Sequence, residues 1–352
     1  MFIYLFIYIL LLFFTLKEVI KERFTERQIK YLFLIFLFLF STIAGIRFGV
    51  GKDYFTYLDI FHGIKKYSDY NYLEPGFRLI ISSIKELGFN DLSLFFIFAL
   101  ISLTFSFKGI KENSKYPVFS IFIFIIVFYI GYCFNVLRQG IVMSLFLFLL
   151  KDIEQRNFKK VLLFSFLGMS IHYSGILILI SYFFYNIKIN RKMYIVLAIF
   201  LIALMTTNSY WSQLLVNFAP EILQSKISAY MKDFKYGVDF IGILQRVLLL
   251  IPFLWFYNSL KESDASFEGR FKIYFLGLVL YAVFSFQGML ATRLNMFFRI
   301  LEVILLPYLL EVNTTKFKKY LIFALIIVWA TLLYVNDLRQ PANFPFKTIF
   351  SI

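Results

Sequence analysis

From Tyr31 to Ile46 the chain reads Tyr-Leu-Phe-Leu-Ile-Phe-Leu-Phe-Leu-Phe-Ser-Thr-Ile-Ala-Gly-Ile without a charge, and leaves that run through Gly45-Ile46-Arg47-Phe48-Gly49-Val50-Gly51-Lys52-Asp53-Tyr54. A membrane helix needs about 20 mostly apolar residues, fewer when interfacial side chains extend its ends. The first stretch therefore predicts a span. The second gathers glycine, charge and aromatic groups where that span meets water, and Gly45, Gly49 and Gly51 let the backbone turn and approach a ligand closely. It predicts a site at the membrane surface.

Composition agrees. The 352 residues are 61% hydrophobic and 22% aromatic with a mean hydropathy of +0.78, well above the roughly half-apolar make-up of soluble domains. The 49 Phe and 24 Tyr suit a lipid-facing surface with Tyr at headgroup level. The net charge of +15 lies in short clusters between apolar runs, which fits topology and not a nucleic-acid-binding face. The single Cys133 excludes an intrachain disulfide and a multi-Cys metal site. Met1 to Leu16 lacks a basic start and a small-residue cleavage site, so it is expected to be the first span and not a removed signal.

The expected spans are Met1–Leu16, Tyr31–Ile46, Ser93–Phe107, Pro117–Cys133, Val136–Leu150, Val161–Ile187, Met193–Thr207, Ile241–Tyr257, Ile273–Gln287, Leu294–Leu310 and Tyr320–Val335. Val161–Ile187 is too long for one crossing and is interrupted by Ser170-Ile171-His172-Tyr173-Ser174-Gly175. Counted as two crossings, it puts the basic clusters at 17–30, 108–115, 151–160, 188–192, 261–272 and 316–319 on one side, as the positive-inside rule requires. The expectation is an all-α, polytopic integral membrane protein of about twelve transmembrane helices forming one domain over 1–352, with both termini outside. Two extracytoplasmic loops, 47–92 and 208–240, are expected to carry amphipathic helices lying on the membrane surface. Their faces are Phe77, Ile80, Ile81, Ile84 and Leu87 in the first, and Ile222, Leu223, Ile227, Tyr230 and Met231 in the second.

This topology places Arg47, Asp53, Glu74, Arg138, His172, Arg293 and Arg299 at the outer boundary. Arg138, in Asn135-Val136-Leu137-Arg138-Gln139-Gly140, is the only charge between Lys115 and Lys151, and an ionisable residue in a span defaults to function, with an interfacial anchor as the alternative. Arg299 and Glu302 are three apart, which on a continuous helix makes them an internal ion pair unless Arg299 serves a ligand. Arg293 has no local acid and is the better anion candidate. His172 is either an acid-base or ligand-contacting group or a locally hydrogen-bonded one. Glu74, before Pro75, either caps a helix or accepts a proton, and Asp53 carries the same ambiguity with Lys52 as its neighbour. No phosphate-binding glycine loop stands in a strand-helix setting, so a nucleotide-driven mechanism is unsupported. Arginines, carboxylates, a histidine and tyrosines facing one leaflet suit a polyprenyl-diphosphate-linked sugar, with guanidinium on phosphate and aromatics on sugar faces.

Gly45-x-Arg47-x-x-x-Gly51-x-Asp53-Tyr54-x-x-Tyr57, Glu74-Pro75-Gly76-Phe77, Asn135-x-x-Arg138-Gln139-Gly140, His172-Tyr173-Ser174-Gly175 and Arg293-x-x-x-x-x-Arg299 running into Pro307 occur in that order. Together they resemble the EpsG-like branch of Wzy-type polysaccharide polymerases over nearly the whole chain. The sequence departs at Gly140-Ile141, where the family often has a small residue after the glycine. The resemblance implies a metal-independent glycosyltransferase of the bacterial inner membrane, without a cofactor, that joins oligosaccharide repeats carried on undecaprenyl diphosphate. Its product is a capsule, an O-antigen or an exopolysaccharide. It implies Arg138 and Arg293, with Arg47 and Arg299 as further candidates, on diphosphate. His172, Asp53 or Glu74 is the catalytic base, and Tyr54, Tyr57 and Gln139 contact sugar. Membrane lipids, a chain-length regulator and a flippase are the implied partners; nucleic acid is not.

Two other classes share some features. A flippase for lipid-linked oligosaccharide has the same ligand but is expected to show repeated halves with helices broken at mid-membrane. A membrane O-acyltransferase wants a histidine near mid-membrane, whereas His172 is expected at the outer face.

Overall fold

The computed structural model describes residues 2–21, 23–207, 210, 237–238, 240–312 and 315–350. Among these the secondary structure is helical, with one isolated antiparallel bridge between Arg47 and Thr348. The second expected amphipathic face, Ile222 to Met231, lies outside the described residues. The chain divides into two compact units, the first comprising 1–182, 302–310 and 315–352 and the second 183–301 and 311–314.

In the first unit the helices are α1 (Phe2–Leu16), α2 (Glu26–Ile46), α3 (Tyr54–Gly63), α4 (Pro75–Glu86), α5 (Asp91–Asn113), α6 (Pro117–Ile123), α7 (Leu137–Glu154) and α8 (Phe158–Ile171). Two π-helical turns, Phe124–Phe128 and Ile130–Asn135, continue α6. α9 (Ile176–Phe184) begins in this unit and ends in the second. Capping sets several starts: Thr25 and Gln28 form a reciprocal capping box on α2, and Asn90 accepts the Ser93 N–H at the start of α5. By length and apolar content Phe2–Lys21, Glu26–Ile46, Asp91–Asn113 and Lys316–Leu338 each suffice to cross a membrane. Most of the other expected spans are shorter or broken helices, and α7, though 18 residues long, carries charges at both ends, so the expected number is not reached by continuous apolar helices among the described residues.

One end of this unit gathers the basic loops. The Glu18 carboxylate accepts the Val118 and Phe119 N–H groups at 3.1 and 2.8 Å, Arg23 and Lys319 both donate to the Tyr116 hydroxyl, and Lys111 pairs with Glu26. α5 and α7 pack in parallel, with Ser106 on Ser144 and Gly109 against Leu147, which brings the clusters at 108–115 and 151–160 to the same end. The opposite end holds the Tyr4 hydroxyl on the Asn343 carbonyl, and the Phe48 and Gly51 N–H groups on the carbonyls of Lys347 and Ala342. The start of α1, the end of α2 and the tail after α16 (Lys316–Leu338) therefore lie together, the parity expected from charge.

α8 and α9 form an antiparallel hairpin. Its turn is the 3₁₀ segment Tyr173–Gly175, and at its foot the Arg156 guanidinium lies 3.7 Å over the Tyr182 ring, which also packs on Phe158. The chain breaks where the sequence placed the interruption, and α8 rises only about 21 Å at 1.5 Å per residue.

α4 differs from expectation. The helix forms, with Pro75 in its first turn, but Phe77, Ile81 and Ile84 are buried in a cluster with Tyr57, Phe95, Phe98, Leu137 and Ile141. Most of its apolar face therefore packs on protein, with Ile80 half-buried and Leu87 left exposed. The helical spacing registers an apolar face without naming its partner.

The second unit contains α10 (Arg191–Thr206), α11 (Phe240–Trp255), α12 (Tyr257–Ser263), α13 (Phe267–Val283) and α14 (Gly288–Arg299). α11 and α12 are bent by 64° at their junction, just after Pro252, a residue that removes one ladder hydrogen bond. α15 (Glu302–Tyr308) belongs to the first unit. The helix expected to run through 294–310 stops at Arg299 and restarts at Glu302, with a turn at Ile300 and Leu301 between the two.

Candidate active site

Four of the sequence motifs meet at the end of the first unit opposite the basic loops. Gly51, at φ +106°, has a conformation L side chains rarely adopt, and a Cβ there would stand 2.8 Å from the Phe134 carbonyl. That close approach lets the Lys52 N–H donate to Asn135 Oδ1 at 2.6 Å. It fixes the loop before α3 onto the start of α7, three residues before Arg138. Gly76 plays a similar part, because a Cβ would meet the Ser170 carbonyl oxygen at 2.8 Å, and this docks the first turn of α4 on the end of α8 beside His172.

Arg138 points from the first turn of α7 to Glu74, the residue preceding α4. Its Nη1 donates to Glu74 Oε2, and its guanidinium lies 5.1 Å over the Phe77 ring. Glu74 makes no capping hydrogen bond; its carboxylate goes to Arg138 instead. The Glu74 side chain is 3% exposed and that of Arg138 26%. The carboxylate is thus a buried backstop that orients a guanidinium still partly open. Arg138 Nε is buried without an acceptor among the described residues, and an unsatisfied buried donor costs roughly 1–3 kcal/mol. A ligand oxygen would relieve that cost.

Tyr57 and Asp53 complete the cluster. Burial pushes the Tyr57 phenol up, the Arg138 guanidinium opposes this, and the Asp53 charge reinforces it. Asp53 precedes α3, is half-buried, and makes no side-chain capping bond. Among the described residues its carboxylate has no hydrogen bond or ion pair, unlike Glu74. Chemically, the arrangement offers one oriented cation, one uncommitted carboxylate and a phenol on which both charges act.

Other expected site residues have different placements. Arg47 is 0% exposed: Nε donates to the Val50 carbonyl at 3.0 Å, Nη1 to Ala44 at 2.6 Å and Nη2 to Phe134 at 3.2 Å. Its guanidinium is enclosed by the Phe95, Phe134 and Tyr54 rings at 4.2, 4.6 and 5.6 Å. Instead of facing a ligand, it ties off the end of α2. Tyr54 stacks on Phe95 at 4.6 Å in the same enclosure and presents no open face for a sugar. Gln139 is buried within α7.

His172 ends α8 in extended conformation, and its Nδ1 accepts the Ser174 N–H at 3.2 Å and lies 2.9 Å from Ser174 Oγ. Accepting an N–H at Nδ1 leaves the proton on Nε2. In that tautomer the ring caps its own turn and offers Nε2 as a donor. Arg293, exposed, and Arg299, half-buried, lie in the second unit on α14. Six residues apart on α14, they stand roughly 120° around the helix from one another.

The second unit contains a cation that the sequence reading did not single out. Arg246 in α11 is 9% exposed, donates from Nε to Asn295 Oδ1 at 2.7 Å and from Nη1 to the Gly242 carbonyl at 2.7 Å, and lies 3.7 Å over the Tyr281 ring. The signal was present: Arg246 is the only charge between Phe240 and Tyr257, as Arg138 is the only one in its own run. Among the described residues no group of three or more His, Cys, Asp or Glu is arranged to hold a metal ion.

The model of the EpsG family matches residues 30–348, which include every motif described above. The chain belongs to the EpsG family. EpsG-family proteins are Wzy-like polysaccharide polymerases, and the apolar helices of this member make it a membrane protein. No curated protein and no solved structure matches the chain.

Proposed function

We propose that this EpsG-family chain lengthens a polysaccharide at the outer face of the bacterial inner membrane, which it crosses about twelve times. The growing chain is carried on undecaprenyl diphosphate, and the acceptor is the next lipid-linked repeat. A hydroxyl at the non-reducing end of the acceptor attacks the anomeric carbon of the donor. The new glycosidic bond forms as the bond from that carbon to the diphosphate oxygen breaks, and the electron pair leaves with the lipid diphosphate.

The observation that carries this reading is the Arg138–Glu74 pair beside the uncommitted Asp53. Arg138, oriented from behind by a buried carboxylate, stabilises charge developing on the leaving diphosphate without reorganising at the moment of reaction. Asp53 takes the acceptor proton. Tyr57, buried and hydrogen-bonded to Arg138, helps hold the guanidinium in place, while His172 donates a hydrogen bond from the adjacent turn. The ion-paired Glu74 serves as the positioning partner of Arg138, which leaves Asp53 the better base. Grouping of these residues at one end of the first unit favours polymerisation over transport, which calls for a site at mid-depth.

The test is reconstitution of the purified full chain in vesicles with a synthetic undecaprenyl-diphosphate-linked repeat. A ladder of products separated by one repeat supports the proposal. Passage of the repeat across the bilayer with no ladder overturns it in favour of transport.

A further inference from the structure

The second unit has an open cavity of about 1130 Å³ between the start of α10 and the junction of α12 with α13. Four cations, Lys188, Arg191, Lys192 and Lys261, line it against a single carboxylate, Glu268. That carboxylate is already committed to Lys261 at 2.6 Å. Lys188, Arg191 and Lys192 have no acidic partner among the described residues, and Arg191 Nε is buried without an acceptor. The cavity therefore holds an excess of about three positive charges, and the first turn of α10 adds its helix dipole to them.

The positive-inside rule accounts for basic residues in this loop but not for their convergence on one cavity. A second feature names the occupant. Met193, Val196, Ile199 and Phe200 on α10 are all exposed and form an apolar track that starts at the cavity and runs up the helix. An occupant with an anionic head and an aliphatic tail satisfies both features, and basic pockets between membrane helices hold such headgroups. We propose that this cavity binds the phosphate headgroup of an anionic phospholipid, whose acyl chains lie along α10. The site is separate in sequence and in unit from the Arg138 cluster and does not depend on the reaction assigned there.

The experiment measures lipid retained by the purified full chain with native mass spectrometry, using phosphatidylglycerol and phosphatidylcholine of matched acyl chains. Wild type is expected to retain phosphatidylglycerol preferentially, and Lys188→Gln, Arg191→Gln and Lys192→Gln each to lower that retention by about fivefold. Glu268→Gln, which frees Lys261, is expected to raise it, a gain that misfolding cannot mimic. Removing three charges elsewhere, as Lys159→Gln, Lys316→Gln and Lys318→Gln combined, is expected to leave the preference intact. Equal retention of both lipids by wild type, or an equal loss in this control, overturns the proposal. So does displacement of phosphatidylglycerol by millimolar inorganic phosphate, which assigns the cavity to a soluble anion.

Discussion

Arg138 and Glu74, 64 residues apart in sequence, form an ion pair in which the acid is buried and the base is partly open. The asymmetry makes Glu74 a support and Arg138 the group that meets a ligand. Arg138→Lys removes the planar fork while keeping the charge. We expect polymer formation to fall by about 10²–10³-fold, the usual cost of losing one donor to a developing oxyanion, as read by ladder length and yield. Unchanged chain length would remove Arg138 from the diphosphate site.

Glu74→Gln tests the support. Breaking a buried pair from one side leaves an uncompensated charge and costs about 3–5 kcal/mol, though the part-open Arg138 can turn toward water and reduce this. Thermal unfolding in detergent is expected to shift down, with activity reduced along with it. A variant as stable as wild type would show that the pair has no structural role.

Asp53 offers the opposite profile. Since its carboxylate has no partner among the described residues, Asp53→Asn is expected to leave the melting temperature unchanged. Turnover should drop by about 10²–10⁴-fold, the usual contribution of a general base. Full turnover at saturating substrate would remove Asp53 from the chemistry.

Arg47 is expected to behave as a folding residue. Three charge-assisted hydrogen bonds, each contributing roughly 1.5–3 kcal/mol, and three aromatic faces hold it. Arg47→Lys should therefore reduce the yield of folded protein more than the specific activity of what folds. A well-folded, inactive Arg47→Lys protein would return this residue to the ligand site.

His172→Asn keeps an acceptor for the Ser174 N–H, whereas His172→Ala does not. The prediction is that the Asn variant retains the hairpin turn, judged by hydrogen exchange at Ser174 and Gly175, while the Ala variant loses protection there. Equal exchange in both would show that the cap is dispensable.

Much of the fold follows from one-dimensional patterns. Apolar run length and the placement of Lys and Arg were sufficient for the membrane character, for the break at His172 and for the parity that brings both ends of the first unit's chain together. They were insufficient where a helix has an apolar face but two candidate partners. The Phe77, Ile81 and Ile84 stripe of α4 reads identically whether it meets lipid or the α3–α5–α7 cluster. The break between α14 and α15 was equally hidden: nothing in the run from Leu294 to Leu310 announces that the helix stops at Arg299 and restarts at Glu302.

The sequence alone determined that Arg47, Asp53, Glu74, Arg138 and His172 stand near one face of a membrane protein, because spans and charged loops order the chain by depth. Only the tertiary structure decided what each residue does there. Whether a guanidinium is enclosed by carbonyls and rings, like Arg47, or braced by a carboxylate and left partly open, like Arg138, depends on neighbours 64 or 87 residues away. Such contacts arise from the close approach of backbone at Gly51 and Gly76, and depth along the membrane carries no record of them.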